Sequence, residues 1–261
     1  MSEKITAMQA LLRQVPGKVG FFYEDLTTGE QLALNEETPL LAASVIKLPI
    51  LTEVFRRFDE GTLDPDQPVT IREEDKLPSC GALNYLHAGL QVTLRDLAVL
   101  MIILSDNTAT NLLIDLLGQD AINRQIRRLG LQNTRLERPL FRPDLAAKGL
   151  ENRVSAGDMA SLLKRLYRGE LASPKADREM MTILADQRLN GKLPFYLHSR
   201  GIKMAHKTGE DDGITHDVGL ILGDRPAVLC FLSNETNVPL AERAMQAIAA
   251  LAAGIRKEEM A

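Results

Sequence analysis

The chain has 261 residues, 45% hydrophobic and 25% charged, and its 31 basic against 35 acidic side chains leave a formal charge of −4. That composition excludes disordered, collagen-like and disulfide-scaffold classes, and the acidic balance argues against nucleic acid or an anionic membrane as the main partner. With no Trp and 4% aromatic residues, the core has to be built from Leu, Ile, Val, Ala and Met.

The length suits one large domain or two closely packed subdomains. The N-terminus, Met1-Ser2-Glu3-Lys4-Ile5-Thr6, has no basic segment followed by an apolar one. A cytoplasmic location is therefore expected unless a leader has been removed. The longest apolar stretches, such as 97–104, are too short to cross a bilayer. Cys80 and Cys230 lie far apart among apolar neighbours and read as free thiols, with a single bridge as the alternative.

In chain order, residues 4–14 have helical spacing (Ile5, Met8, Leu11, Leu12) and stop before Pro16-Gly17. Residues 18–26 and 31–34, separated by Thr27-Thr28-Gly29-Glu30, read as a β-hairpin. A helix is expected over 44–58, ended by Glu60-Gly61. The helical period then dominates at 94–104, 108–117, 121–129, 156–167 and 176–184, with Gly or Pro punctuating the gaps. Extended pattern returns at 203–207, 218–222 and 227–232, and an Ala-rich amphipathic helix closes the chain at 239–253. The simplest closure is an α/β (α+β type) fold. Its five strands form one antiparallel sheet, with both terminal helices on a face and a helical block alongside. The expected organisation is a single domain, 1–261, in which 1–36 with 195–261 form an α/β lobe and 37–194 form an all-helical lobe. Clefts between two such lobes favour small-molecule sites.

Three short motifs carry chemistry. In Ser44-Val45-Ile46-Lys47, positions i and i+3 share a helix face, so a lysine can reach the serine hydroxyl and serve as its base. The pattern is weak by itself: Ser161-Leu162-Leu163-Lys164 repeats it and reads as an ordinary helix surface. Ser105-Asp106-Asn107 follows an apolar run and precedes a helix, where it could simply cap that helix. Lys207-Thr208-Gly209 stands at the end of an expected strand, where it could be a surface strand entering a turn.

Together the motifs say more. They occur in this order, their first residues 61 and 102 positions apart, and Ser-x-x-Lys, Ser-Asp-Asn and Lys-Thr-Gly form the signature of class A β-lactamases and penicillin-binding proteins. The runs Ser44-Val45-Ile46-Lys47-Leu48-Pro49 and Ser105-Asp106-Asn107-Thr108-Ala109-Thr110-Asn111-Leu112-Leu113 closely resemble class A β-lactamases, as does the order of elements. The resemblance implies that Ser44 attacks a carbonyl, that Lys47 takes or relays its proton, and that Ser105 passes a proton to the departing nitrogen. It further implies that Asn107 binds the substrate amide and that Lys207 and Thr208, with Gly209 beside them, serve a substrate carboxylate. The backbone N–H groups of Ser44 and Glu210 would hold the oxyanion.

Where class A enzymes carry a water-activating glutamate, this chain reads Leu136-Glu137-Arg138-Pro139-Leu140-Phe141-Arg142-Pro143-Asp144. Matching forward from Asn107 and back from Asp158-Met159 gives different registers, which leaves Glu137 a candidate base and slow deacylation the expectation. Glu210-Asp211-Asp212 is acidic beside a site meant for an anion. His206 and His216 could pair with Asp217 as metal ligands, but no compact multi-ligand spacing supports that, so the reading has no metal and no organic cofactor. Arg124–Arg128 should face solvent and Met180-Met181 the core.

The leading expectation is a serine β-lactamase-like hydrolase working through an acyl-Ser44 intermediate. The alternatives are a D-Ala-D-Ala peptidase-like or esterase activity and, in a different class, a non-catalytic sensor of β-lactams or peptidoglycan fragments. A pure binder needs no proton relay, which argues against the sensor. A monomer with a β-lactam or D-Ala-D-Ala-like substrate, and no nucleic-acid or membrane partner, completes the expectation.

Overall fold

The structure is a computed structural model and describes residues 2–260. In chain order the elements are α1 (Glu3–Leu12), β1 (Lys18–Asp25), β2 (Gln31–Leu34), β3 (Leu40–Leu41), α2 (Lys47–Asp59), β4 (Pro68–Thr70), β5 (Gln91–Thr93), α3 (Leu94–Ile103), α4 (Asn107–Leu117), α5 (Gln119–Arg128), α6 (Pro143–Ala146), β6 (Arg153–Val154), α7 (Ala156–Arg168), α8 (Pro174–Ala185), α9 (Phe195–His198), β7 (Met204–Asp211), β8 (Ile214–Ile221), β9 (Ala227–Asn234) and α10 (Val238–Ala252). Among the described residues no helix is long and apolar enough to cross a membrane.

The main sheet has the order β2-β1-β9-β8-β7 and every neighbouring pair is antiparallel, as the element order predicted. The two terminal segments close it: β1 pairs with β9 along its whole length, from Lys18 opposite Asn234 to Asp25 opposite Ala227. Residues of β8 and β9 are buried on both faces, which is why 218–222 and 227–232 read as continuous rather than alternating apolar runs. One face carries α1 and α10. Ile5, Met8 and Leu12 from α1 pack with Met245, Ile248 and Ala249 of α10 over Phe21, Phe231 and Leu229. Alanines at 241, 244, 249 and 252 keep that side of α10 thin enough to lie close on the sheet.

The opposite face meets the helical lobe, whose centre is α2. Every residue from Lys47 to Phe55 is buried, so this helix is enclosed all round rather than amphipathic on a surface. Its buried Glu53 carboxylate is satisfied by Arg56 and Arg57 at 2.8 Å, because a charge removed from water needs partners. Arg124, Arg127 and Arg128 face solvent and Met180 is buried, as expected.

Three differences from the sequence reading matter. The helix expected from Ser44 begins at Lys47, and Ser44 lies in a 3-10 turn, Ala43–Ile46, in front of it. Lys207-Thr208-Gly209 does not end its strand; β7 runs on to Asp211 because each residue from Met204 to Asp211 has a partner on β8. The pairs β3–β6 and β4–β5, and the four-residue helices α6 and α9, are too short to show a period.

Candidate active site

A cleft of about 710 Å³ lies between the edge strand β7 and the helical lobe, lined among others by Ser44, Cys80, Asn107, Leu140, Phe141, Glu210 and Asp211. Ala43, which precedes Ser44, has φ +41°, and Ser105 has φ +53°. Backbone of this kind costs roughly 1–3 kcal/mol in a residue other than glycine and collects at functional positions. Gly209 lets β7 approach the Ser44 turn. A Cβ there would stand 3.1 Å from His216 Cδ2, 3.2 Å from Val45 Cγ2 and 3.3 Å from the Ala43 Cβ.

Lys47 is fully buried and donates to Ser105 O at 2.8 Å, Asn107 Oδ1 at 2.9 Å and Ser105 Oγ at 3.0 Å. Lys207, also fully buried, donates to the same Ser105 Oγ at 3.0 Å and to Thr208 O at 2.7 Å. The two lysines thus meet at one hydroxyl. A serine oxygen that accepts twice keeps its own O–H free to donate.

Burial pushes the Lys47 ammonium well below the ordinary lysine range, and the charge of Lys207 lowers it further. Burial likewise brings Lys207 down to about 7, opposed by the negative charge of Asp217 and reinforced by Lys192. A neutral Lys47 can satisfy Ser105 O and Asn107 Oδ1 with its two N–H groups and turn its lone pair to a hydroxyl, the form a general base requires.

The motif residues divide their work. Asp106 caps α4 through Ala109 N at 2.9 Å and also accepts from Ala82 N at 2.7 Å and Leu83 N at 2.9 Å, so it holds the loop carrying Cys80 against the cleft. The capping role open to this tripeptide falls to Asp106, while Ser105 and Asn107 face the lysines. Asn107 Nδ2 donates to Pro78 O at 3.2 Å. Cys80 and Cys230 are free thiols, the first half-buried and the second buried in β9.

The structure does not bring Glu137 into this cluster. Its carboxylate accepts from Glu151 N at 3.1 Å and pairs with Arg135 at 3.4 Å, and it is not among the residues lining the cleft. The reason lies in how the 135–153 loop is closed. Arg135 and Arg153 pair through their backbones, Asn152 Oδ1 accepts from Glu137 N at 2.8 Å and Arg138 N at 3.0 Å, and Arg138 pairs with Glu151 at 2.7 Å. These bonds turn Glu137 into the base of the loop. The wall it presents to the cleft is Arg138, Leu140, Phe141, Arg142 and Pro143.

His206 and Asp217 do come together, with Nδ1 2.8 Å from Oδ1, but as a buried pair whose Asp217 also accepts from Leu193 N. His216 donates through Nε2 to Leu41 O at 2.7 Å and accepts at Nδ1 from Ser233 N at 3.0 Å, and burial lowers it to about 4, so it is a neutral tie between β3 and the sheet. Among the described residues no group of three or more His, Cys, Asp or Glu is placed to hold a metal ion.

Two residues at the site were not singled out from sequence. Asn111 clamps Leu140 by donating to its O at 3.0 Å and accepting from its N at 2.9 Å. Its position one helical turn after Asn107 was a usable signal. Lys192 reaches the back of β7 from a loop without periodicity, and no local signal marks it.

Residues 3–258 match the profile of the Beta-lactamase enzyme family (Beta-lactamase2). The chain belongs to this β-lactamase family. Among solved structures, it is 33% identical to a β-lactamase from Sphaerobacter thermophilus, over 95% of both chains, with a TM-score of 0.86. It is 30% identical to PBP-A, over 96% of this chain and 94% of that one, with a TM-score of 0.85. A point variant of PBP-A, solved as an acyl-enzyme complex with penicillin G, is 29% identical over 95% of this chain and 93% of its own, with a TM-score of 0.84. The fold of this family member is therefore that of the class A β-lactamases, and its family is one of serine hydrolases.

Proposed function

We propose that the protein is a penicillin-reactive serine hydrolase that forms an acyl-Ser44 intermediate quickly and hydrolyses it slowly. The observation carrying this reading is the buried chain Lys47–Ser105–Lys207, joined through one hydroxyl and tied by Lys47 to Asn107, which lines the same cleft as Ser44. Ser44 Oγ attacks the carbonyl carbon and its proton passes to neutral Lys47. The N–H groups of Ser44 and Glu210 hold the tetrahedral oxygen. The C–N bond then breaks as Ser105 Oγ–H protonates the nitrogen and takes a proton in turn from Lys47, so the proton that left Ser44 is accounted for on the amine. Asn107 meets the substrate amide, and Lys207 with the Thr208 hydroxyl holds the carboxylate.

A second reading, acyl transfer on a D-Ala-D-Ala-type amide or ester, is favoured by the apolar and arginine-rich loop wall, which is poor in groups that could activate water. Of the carboxylates lining the cleft, Glu151 is paired with Arg138 and Glu210 with Lys192, and Asp211 is exposed.

Intact-mass spectrometry over time with a penicillin tests the proposal. One equivalent should add rapidly and persist, and Ser44→Ala should remove the adduct altogether. No adduct with any penicillin, cephalosporin or thioester, or an adduct on Ser161, would contradict it.

A pH profile tests the carboxylate role of Lys207. With its ammonium half-protonated at about pH 7, its charge is present below that value and lost above it. Acylation by a carboxylate-bearing penicillin should therefore fall as pH rises through about 7, while a neutral ester should show no such limb. Lys207→Ala should erase this difference between the substrates.

A further inference from the structure

We infer that Lys192 is a positioning residue for the reaction, holding the Gly209–Glu210 peptide so that the Glu210 N–H faces the cleft. The inference rests on the acyl-Ser44 reading above and adds a residue that none of the motifs contains.

Lys192 lies between α8 and α9, its side chain 5% exposed. Its ammonium donates to Gly209 O at 3.0 Å and to His216 O at 3.4 Å, and it pairs with the carboxylate of Glu210 at 3.0 Å. Glu242 stands further off at 3.8 Å and accepts from Thr215 Oγ1. Gly209 and His216 are directly opposite each other on β7 and β8, so an ammonium that reaches both carbonyl oxygens shows that Gly209 C=O is turned toward β8.

The peptide between Gly209 and Glu210 is trans, since the described chain has no cis bonds. In a trans peptide C=O and N–H point in opposite directions. With the carbonyl turned inward, the Glu210 N–H is turned outward, and β7 is the edge strand of the sheet. Its free edge is where Glu210 and Ser44 line the same cleft. A cation on the carbonyl oxygen also polarises the whole amide, which strengthens the donor at its other end, and the dry surroundings enlarge the effect.

A buried ammonium is a poor device for stability alone, because replacing a buried ion pair with apolar groups of similar size is often neutral or stabilising. Lys192 also balances the first residue of the acidic run after the third motif. The Glu210 side chain is 60% exposed yet tied to Lys192, so its charge is balanced beside a site that has to accept an anion.

The test compares the wild type with Lys192→Met, which keeps the length and drops the charge, and Lys192→Arg, which keeps the charge. Acylation of Ser44 is followed by stopped flow with a penicillin and with a neutral ester, and the acyl-ester carbonyl stretch is read by infrared difference spectroscopy. Removing a direct oxyanion donor costs about 10²–10³-fold. An indirect loss should therefore slow the acylation step on the order of tenfold for both substrates, with little change in the binding of the neutral ester. The carbonyl stretch should move to higher frequency, reporting weaker hydrogen bonds to that oxygen. Lys192→Arg should recover most of the rate and the frequency. If Lys192→Met does not fold, Lys192→Gln, a neutral donor, should show the same frequency shift at smaller amplitude. A mutant rate and carbonyl frequency equal to the wild type would overturn the inference, as would a rate loss with an unshifted carbonyl. Absence of any adduct on wild-type Ser44 would instead overturn the acyl-enzyme reading itself.

Discussion

Lys47→Ala is expected to slow acylation of Ser44 by about 10³-fold for every substrate, anionic or neutral, which corresponds to about 4 kcal/mol in the barrier. The size of the effect follows from three features. A serine hydroxyl is a weak nucleophile without a base. Lys47 is the lysine three residues on, buried, and held well below the ordinary lysine pKa by that burial and by Lys207. Finally, its removal leaves Ser105 O and Asn107 Oδ1 without the donor that now serves both. The same substitution opens a cavity and strands two buried acceptors, so the thermal midpoint should fall by several degrees as activity collapses. Stopped-flow acylation with a chromogenic cephalosporin and a neutral ester, set beside a melting curve, checks both halves. A loss confined to carboxylate-bearing substrates would assign Lys47 an electrostatic role instead of a proton-accepting one.

The second large effect is a gain. Leu140→Glu is expected to speed hydrolysis of the acyl-enzyme by about 10²-fold, near the lower end of what a positioned general base contributes. Leu140 lines the cleft, and its backbone N–H and C=O are both clamped by Asn111. A carboxylate added there is carried on a fixed peptide and half-buried, which raises its pKa toward that of a useful base. Glu137→Gln is the matched control. Because that carboxylate is occupied by Glu151 N and Arg135 at the base of the loop, its loss should leave acylation and deacylation within about twofold of the wild type, in line with ordinary substitutions away from the chemistry. Burst kinetics read both variants: the wild type should show one equivalent released quickly and a slow steady state, and Leu140→Glu should raise the steady state alone. An accumulating acyl-enzyme in Glu137→Gln would show that the loop rearranges to deliver Glu137 to the ester.

The contrast between Glu137 and Leu140 shows what local sequence can and cannot determine about this protein. Ser44, Lys47, Ser105, Asn107 and Lys207 were identifiable because each stands in a short motif and three such motifs in one order are specific. The elements around them were identifiable because the buried faces of α1 and α10 repeat with the helical period and the apolar runs 218–222 and 227–232 mark β8 and β9. The five-stranded antiparallel closure followed from having strands at both ends of the chain. The direction of a loop side chain has no such periodicity behind it. Glu137 was the candidate glutamate of the loop, yet the bonds from Asn152 and the Arg138–Glu151 pair turn it away and bring Leu140 round. Those partners lie 13 to 15 residues downstream, beyond the reach of any local pattern. Lys192 is the same case at longer range, since its meaning depends on β7 being an edge strand and on which way one peptide plane faces. The length of β7 belongs here too. Glu210 and Asp211 lie beyond the strand expected at 203–207, and only pairing with β8 draws them into it, because backbone hydrogen bonds across a sheet can outweigh the weak local preference of charged side chains.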